Sequence, residues 1–265
     1  MNKKIILFGS TGMLGKYVYK VLKHIFNVTI VNRDSYDILN NDEEKLFSII
    51  ENISPCIIIN CCVLIPQRNN TSNKDYILIN TLFPIMLNKI CIKNNIKFIH
   101  ITTDCVFSGK KGNYIETDTH DTEDMYGISK SLAESMIKEA TIIRTSIIGE
   151  EEYHKKSLLE WVRSNEGCTI TGYKNVIWNG VTCLTLAQII ETIIITNNFW
   201  NGVRHIHGEK ISKYDLIKLI IEIYNLNIIM DNNEDYRKDM SMDSLFNFID
   251  VKNIKDQLID MKNFK

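Results

Sequence analysis

Tyr126 and Lys130 lie four residues apart, so on a helix they share one face, and that pairing suits a proton transfer. Hydride delivery to a ketone leaves an alkoxide that must be protonated. A tyrosine whose pKa is lowered by a neighbouring ammonium can supply that proton. Thr103, in the run Thr102-Thr103-Asp104-Cys105, can donate a hydrogen bond to the carbonyl oxygen. Alone, a tyrosine and a lysine at this spacing more often form a surface pair on a helix. Their weight here comes from what precedes them in the chain.

Upstream, the continuous apolar run Ile5-Ile6-Leu7-Phe8 suits a parallel strand buried on both faces, and Tyr17, Val18, Val21 and Leu22 then recur at helical spacing. Between them stand Gly9, Gly12 and Gly15. Gly9 can adopt backbone angles closed to a side chain. Gly12 lets the main chain approach a pyrophosphate, whose charge meets free N–H groups at the helix N-terminus. Gly15 lets the helix sit close on the strand. A glycine triplet that follows a strand and opens a helix is a dinucleotide-binding signature, with Thr11, Met13 and Leu14 in the same turn. Lys130 can then also hold the nicotinamide ribose. At the end of the second strand, where a carboxylate usually binds the adenosine 2′-hydroxyl, the chain reads Asn32-Arg33. An amide and a guanidinium suit a 2′-phosphate, so NADPH is expected in preference to NADH. Asp37 and Ile38 are expected against the adenine edge.

The elements that must position these residues alternate. Strands are expected at 28–31, 56–60, 98–102 and 141–145, and helices at 43–53, 75–93 and 125–139. Beyond a soft boundary near 150, helices are expected at 157–164, 184–195, 213–224 and 251–259, with short strands at 203–207 and 228–230. This predicts an α/β fold: a doubly wound parallel sheet over 1–150 that binds NADP, and a smaller substrate-binding lobe over 151–265 on its carboxyl edge, with segments free to cross. With 45% apolar and 24% charged residues and a net charge of −1, the chain offers no global field for nucleic acid or anionic membrane. The apolar run after Lys3 and Lys4 is too short for a signal peptide and no stretch reaches membrane-spanning length, so a cytoplasmic protein is expected. The seven cysteines show no metal-ligand spacing and read mostly as reduced core residues, and no metal site is expected.

Gly9-x-x-Gly12-x-x-Gly15, Asp37-Ile38, Ile59-Asn60-Cys61-Cys62, Asn80, Thr102 to Gly109, Tyr126-Gly-x-Ser-Lys130, Arg144 to Gly149 and Lys213-Tyr-Asp215 together resemble an extended short-chain dehydrogenase/reductase, and more narrowly its dTDP-4-dehydrorhamnose reductase branch. The resemblance covers essentially the whole chain. It implies a Rossmann fold, NADP(H), and a catalytic set of Thr103, Tyr126 and Lys130. It places Cys61, Cys62 and Thr102 on the cofactor, and Asp104, Val106, Phe107, Trp178 and Asn179 on a dTDP- or UDP-linked 4-keto-6-deoxyhexose. A homodimer is left open. Pure reductases of the branch usually carry tyrosine where this chain has Cys105, and GDP-fucose synthase, which epimerises before it reduces, carries cysteine. Cys105 is therefore a candidate acid/base at C3 or C5, with Lys156, close to His154, as the second group. Cys105 as a small packing residue is the competing reading. Other departures are Cys61-Cys62 for the usual Ala-Ala, Ile65 to Arg68 for an acidic metal-associated segment, and Thr182-Cys183 for Pro-Thr. Two alternatives stand beside the reductase: a non-catalytic NADP-binding regulatory subunit of methionine adenosyltransferase, and a nucleotide-sugar 4,6-dehydratase or epimerase.

Overall fold

The computed structural model describes residues 3–68, 71–153, 155–246 and 250–264. Its first half runs β1 (Lys4–Phe8), α1 (Gly15–Leu22), β2 (Asn27–Val31), α2 (Glu43–Ile53), β3 (Ile57–Asn60), α3 (Asn73–Tyr76), a π-helical turn (Ile77–Leu82), α4 (Phe83–Lys93), β4 (Lys97–Thr103), α5 (Met125–Met136) and β5 (Thr141–Thr145). The second half comprises β6 (Ile147–Ile148), α6 (Leu158–Ser164), β7 (Thr169–Tyr173), β8 (Val176–Trp178), β9 (Val181–Thr182), α7 (Cys183–Thr196), β10 (Gly202–His205), β11 (Ile211–Ser212), α8 (Lys213–Tyr224), β12 (Ile229–Asn233), β13 (Lys238–Asp239) and α9 (Ile254–Asn263).

Six strands form one parallel sheet in the order β10-β5-β4-β3-β1-β2. Its last strand, β10, comes from beyond residue 150 and pairs with β5, and α7 packs on α1. Strand alternation explains why both faces are apolar. Ile5, Leu7, Ile57, Ile59, Ile99 and Ile143 face the core shared with α1, α7 and α9. Ile6, Phe8, Ile58, Phe98 and Ile142 face the core shared with α2, α4 and α5. The first of these cores also takes Leu159, Ile170, Trp178 and Leu216 from the C-terminal elements. Those elements therefore share a core with the sheet.

Three expectations need correction. Asn73–Lys93 is one continuous helical stretch of 21 residues, long and apolar enough to cross a membrane, contrary to the reading that none is. Its apolar side chains are explained by burial, since Phe83, Ile85, Leu87 and Ile90 sit in the sheet core. The fifth helix stops at Met136 rather than 139, because Ile137 is extended and Asn88 clamps the backbone N–H and carbonyl of Lys138. The cysteines are also less buried than expected: Cys91 and Cys183 are buried, but Cys56 and Cys168 are exposed.

Candidate active site

Strand order reverses between β1 and β3, which leave β1 to pair with β2 on one side and β3 with β4 on the other. Open α/β sheets bind ligands in the crevice at such a point. The glycine turn sits there. Gly9 has φ +81°, and a β-carbon on it would lie 2.7 Å from the Cys61 carbonyl carbon and the Cys62 nitrogen. A β-carbon on Gly15 would lie 2.0 Å from the Gly9 carbonyl oxygen. The backbones are thus too close for any side chain at either position. Helix α1 begins at Gly15 with no side-chain cap and no acidic residue in its first turn, which leaves its dipole open to an anion, while the N–H groups of Lys16, Tyr17 and Val18 already bond to the Gly12 and Leu14 carbonyls.

Thr103, Tyr126 and Lys130 lie beyond Cys61-Cys62, on β4 and the helix packed on it. Asp124 caps α5, its carboxylate accepting from the Gly127 N–H at 2.8 Å. Asn80 and Thr81, in the π-helical turn, fix the same helix by hydrogen bonds to Ser129. The turn departs from α-helical pairing where Pro84 offers no N–H to the Asn80 carbonyl. Gly127 lets α5 touch the chain after β4: a β-carbon there would lie 2.2 Å from the Cys105 carbonyl oxygen. Tyr126, beside it, is near enough to Thr103 to feel its hydroxyl, which is itself bonded to Asp104 and the Cys105 N–H. Lys130 is buried, donates to the Ile101 carbonyl at 2.8 Å and lies 3.4 Å from His100 Nε2, while His100 Nδ1 lies 3.3 Å from the Asn60 amide.

Burial dominates the electrostatics. It pushes the Tyr126 hydroxyl up, aided by Cys105, Asp104 and Asp124 and opposed by the hydrogen bond with Thr103. The expected lowering of its pKa is therefore overturned: Lys130 is turned to Ile101 and His100 and is not among the main influences on Tyr126. Burial brings Lys130 down to about 8 against the pull of Glu134, Cys62 and Cys61. It keeps His100 neutral, an effect the Lys130 charge reinforces. Cys62 is pushed up to about 12 by burial, with Lys130 and Arg68 pulling the other way. The field of Lys130 at Cys61 and Cys62 joins the lysine to the glycine turn across the crevice.

Thr103 Oγ1 donates to Asp104 Oδ1 at 3.2 Å and accepts from the Cys105 N–H at 3.1 Å. The Cys105 thiol donates to the same Asp104 oxygen at 3.6 Å, and burial and the Asp104 charge push it up to about 12. Asp104 is itself raised by burial, against hydrogen bonds with Ser146, Thr103 and Cys105 and the charge of Lys213. Ser146 accepts from Trp178 Nε1 at 2.8 Å. Ser146 thus anchors Trp178 and acts on Asp104, which accepts from Cys105.

Other expected site residues lie elsewhere or are committed to the fold. Val106 and Phe107 are buried with Tyr114 and Met242, Phe107 stacking on Tyr114 at 4.2 Å, and offer no side-chain surface to a substrate. Asn179 exchanges hydrogen bonds with the Met242 backbone at 2.9 and 2.7 Å, so its amide anchors that segment. Thr102 donates to Glu134, which holds Arg144, so its hydroxyl points away from the Thr103 side. Asn32 accepts from Ser35 within its turn, and exposed Arg33 pairs with Asp37 at 3.1 Å. Lys156 is exposed, with its N–H bonded to Glu151 on a segment tied to α1 by Lys16–Glu152. Asp104, Asp124 and Lys238 act on the Cys105 thiol, and Cys105 in turn acts on Lys213. His154 lies outside the described residues. Lys213 entered the sequence reading only as part of a motif. Its signal was a cation at the first position of a helix, where the dipole disfavours it.

A groove of about 570 Å³, lined by Lys110, Asn175, Ile177, Tyr236, Arg237 and Lys238 among others, lies beside this cluster, joined to it by Lys238.

Residues 3–228 match the family described as RmlD substrate binding domain. The dTDP-4-dehydrorhamnose reductase of Aggregatibacter actinomycetemcomitans is 28% identical over 233 residues, 83% of this chain and 78% of that protein. Methionine adenosyltransferase 2 subunit beta of Danio rerio is 25% identical over 252 residues, 84% of this chain and 75% of that protein. The solved structure of dTDP-4-dehydrorhamnose reductase from Bacillus anthracis in complex with NADP superposes with a TM-score of 0.84 at 19% identity, covering 98% of this chain and 99% of that one.

Proposed function

This chain belongs to the RmlD substrate binding domain family, and from that membership we propose that it is an NADPH-dependent reductase of a dTDP- or UDP-linked 4-keto-6-deoxyhexose. What supports the reading is that Tyr126 and Lys130 share one face of α5 against β4, with Tyr126 beside Thr103 and Lys130 bonded to Ile101 and acting on Cys61-Cys62, opposite an uncapped helix N-terminus. The residues present fit the cofactor: no side chain fits between Gly9 and Gly15, and the uncapped N-terminus of α1, with no acidic residue in its first turn, suits a pyrophosphate. Gly12, Met13 and Leu14 would hold the pyrophosphate, Arg33 the 2′-phosphate, and Lys130 the nicotinamide ribose. When bound, NADPH supplies the hydride. Tyr126, kept protonated by burial, is in the form that gives a proton to the sugar alkoxide. Thr103 can turn its hydroxyl from Asp104 to the carbonyl oxygen.

An epimerisation step before reduction rests on Cys105, which adjoins Asp104 and feels the charge of Lys213. Held at about 12, it enters at neutral pH as a thiol, so removal of a C3 or C5 proton would be slow there and faster in alkali. The direct test is NADPH oxidation on addition of dTDP- or UDP-linked 4-keto-6-deoxyglucose. A regulatory subunit would bind NADPH and leave it unoxidised with every keto-sugar.

A further inference from the structure

Lys213 is the first residue of α8, directly after its cap Ser212. That end of the helix is otherwise built for negative charge. Asp215 donates its N–H to Ser212 Oγ at 3.0 Å, and the Ser212 hydroxyl donates to the Asp215 carboxylate at 2.6 Å. A cation at this position works against the helix dipole. Lys213 nevertheless turns inward, with its ammonium 5.0 Å from the centre of the Trp178 ring and in the field of Asp104 and Cys105. Among the described residues it makes no hydrogen bond and has no ion-pair partner within 4.0 Å, so all three of its N–H donors are uncommitted. Burial brings it down to about 8, with Asp104 and Cys105 pulling it up.

Asp104 and Lys213 thus feel each other's charge without closing into a pair. Asp104 is held by Thr103 and Cys105, and Lys213 lies on the Trp178 ring, which Ser146 anchors in turn. A ligand that meets both must donate to a carboxylate and accept from an ammonium, and a sugar hydroxyl does both. We propose that Lys213 is a substrate-contacting residue of the hexose subsite, and that a hydroxyl of the keto-sugar bridges its ammonium to the Asp104 carboxylate. This rests on the reading of the chain as a nucleotide-sugar enzyme.

The test is calorimetric titration of the NADP-loaded protein with dTDP-glucose and with dTDP alone, for the parent, Lys213→Met and Lys213→Arg. The parent should bind dTDP-glucose more tightly than dTDP. Lys213→Met should weaken dTDP-glucose by about 10- to 100-fold, the range for a hydrogen bond to a charged group, and leave dTDP unchanged. Lys213→Arg should recover part of the loss. The melting midpoint of Lys213→Met should hold or rise, since a cation leaves a helix N-terminus, whereas a structural lysine would lower it on removal. A folded Met variant that keeps the full hexose increment, or one that loses dTDP and dTDP-glucose equally, would overturn the proposal. A parent that binds neither dTDP-glucose nor UDP-glucose would overturn the underlying reading, and does so before any substitution is made.

Discussion

Gly127→Ala adds one carbon at the point where α5 meets the chain after β4. That carbon would lie 2.2 Å from the Cys105 carbonyl oxygen and 2.4 Å from Thr122 Oγ1, where β-carbon contacts below 3.0 Å are essentially never found. Thr122 can turn aside only by giving up its 3.0 Å bond to Asp124, the residue that caps α5. The Cys105 carbonyl is backbone and can yield only with its turn, so helix and turn must part by about 1 Å. Tyr126 moves with the helix and away from Thr103. A misplacement of about 1 Å in a catalytic geometry costs roughly 10²-fold in rate, and overpacking costs about 1–3 kcal/mol of stability. The variant should therefore reduce its keto-sugar with kcat about 10²-fold lower, bind NADPH nearly as the parent does, and unfold at lower urea. Gly15→Ala, whose β-carbon would lie 2.0 Å from the Gly9 carbonyl oxygen, should show the opposite pattern, with NADPH binding lost first. Steady-state kinetics beside NADPH fluorescence titration separates the two. A folded Gly127→Ala enzyme with parent turnover would refute the claim that Gly127 sets the Tyr126 position.

Arg33→Ala should weaken NADPH by about 1.5–3 kcal/mol and leave NADH unchanged, since only the 2′-phosphate differs; equal loss for both in titrations would contradict this. In deuterated water without NADPH, Cys105→Ser should abolish any exchange at C3 or C5 of the keto-sugar. In the parent, such exchange should rise about tenfold per pH unit between roughly pH 7 and 9, well below a thiol pKa of about 12. A Ser variant that still exchanges, followed by NMR, would return Cys105 to a packing role. Stability should fall on acidification, because His100, His120 and His205 are all held below the ordinary histidine value, chiefly by burial. The unfolded chain takes up their protons from about pH 6.5 downward while the folded chain resists, so each histidine contributes up to about 1.4 kcal/mol per pH unit of loss until its lower folded pKa is reached. Urea midpoints unchanged between about pH 7.5 and 5.5 would contradict the neutral assignment.

Local features were legible because local physics fixes them. Helices 43–53 and 213–224 match their expected bounds, each with a capping side chain and an apolar stripe. The glycine turn was legible because positive φ and backbone contact admit no other residue at Gly9. What failed depends on distant partners. Asn88 ends α5 through Lys138, fifty residues away. Val106 and Phe107 follow β4 into a 3₁₀ turn at Asp104–Val106, where strand alternation no longer says which way a side chain points. Trp178 and Lys213 join Asp104 only through the pairing of β11 with β8, which sets Ile211 beside Trp178. No spacing in the chain announces that pairing.

The central claim is hydride transfer to a sugar carbonyl with Tyr126 as the proton donor. Its most direct measurement is a single turnover of the NADPH-loaded protein, deuterated at the transferring position, with dTDP-4-keto-6-deoxyglucose, followed by NMR for parent and Tyr126→Phe. Deuterium should appear at C4 of the product in the parent, and Tyr126→Phe should react roughly 10²–10⁴-fold more slowly with NADPH affinity retained. Deuterium absent from C4 would contradict it, as would a Phe variant that turns over at the parent rate.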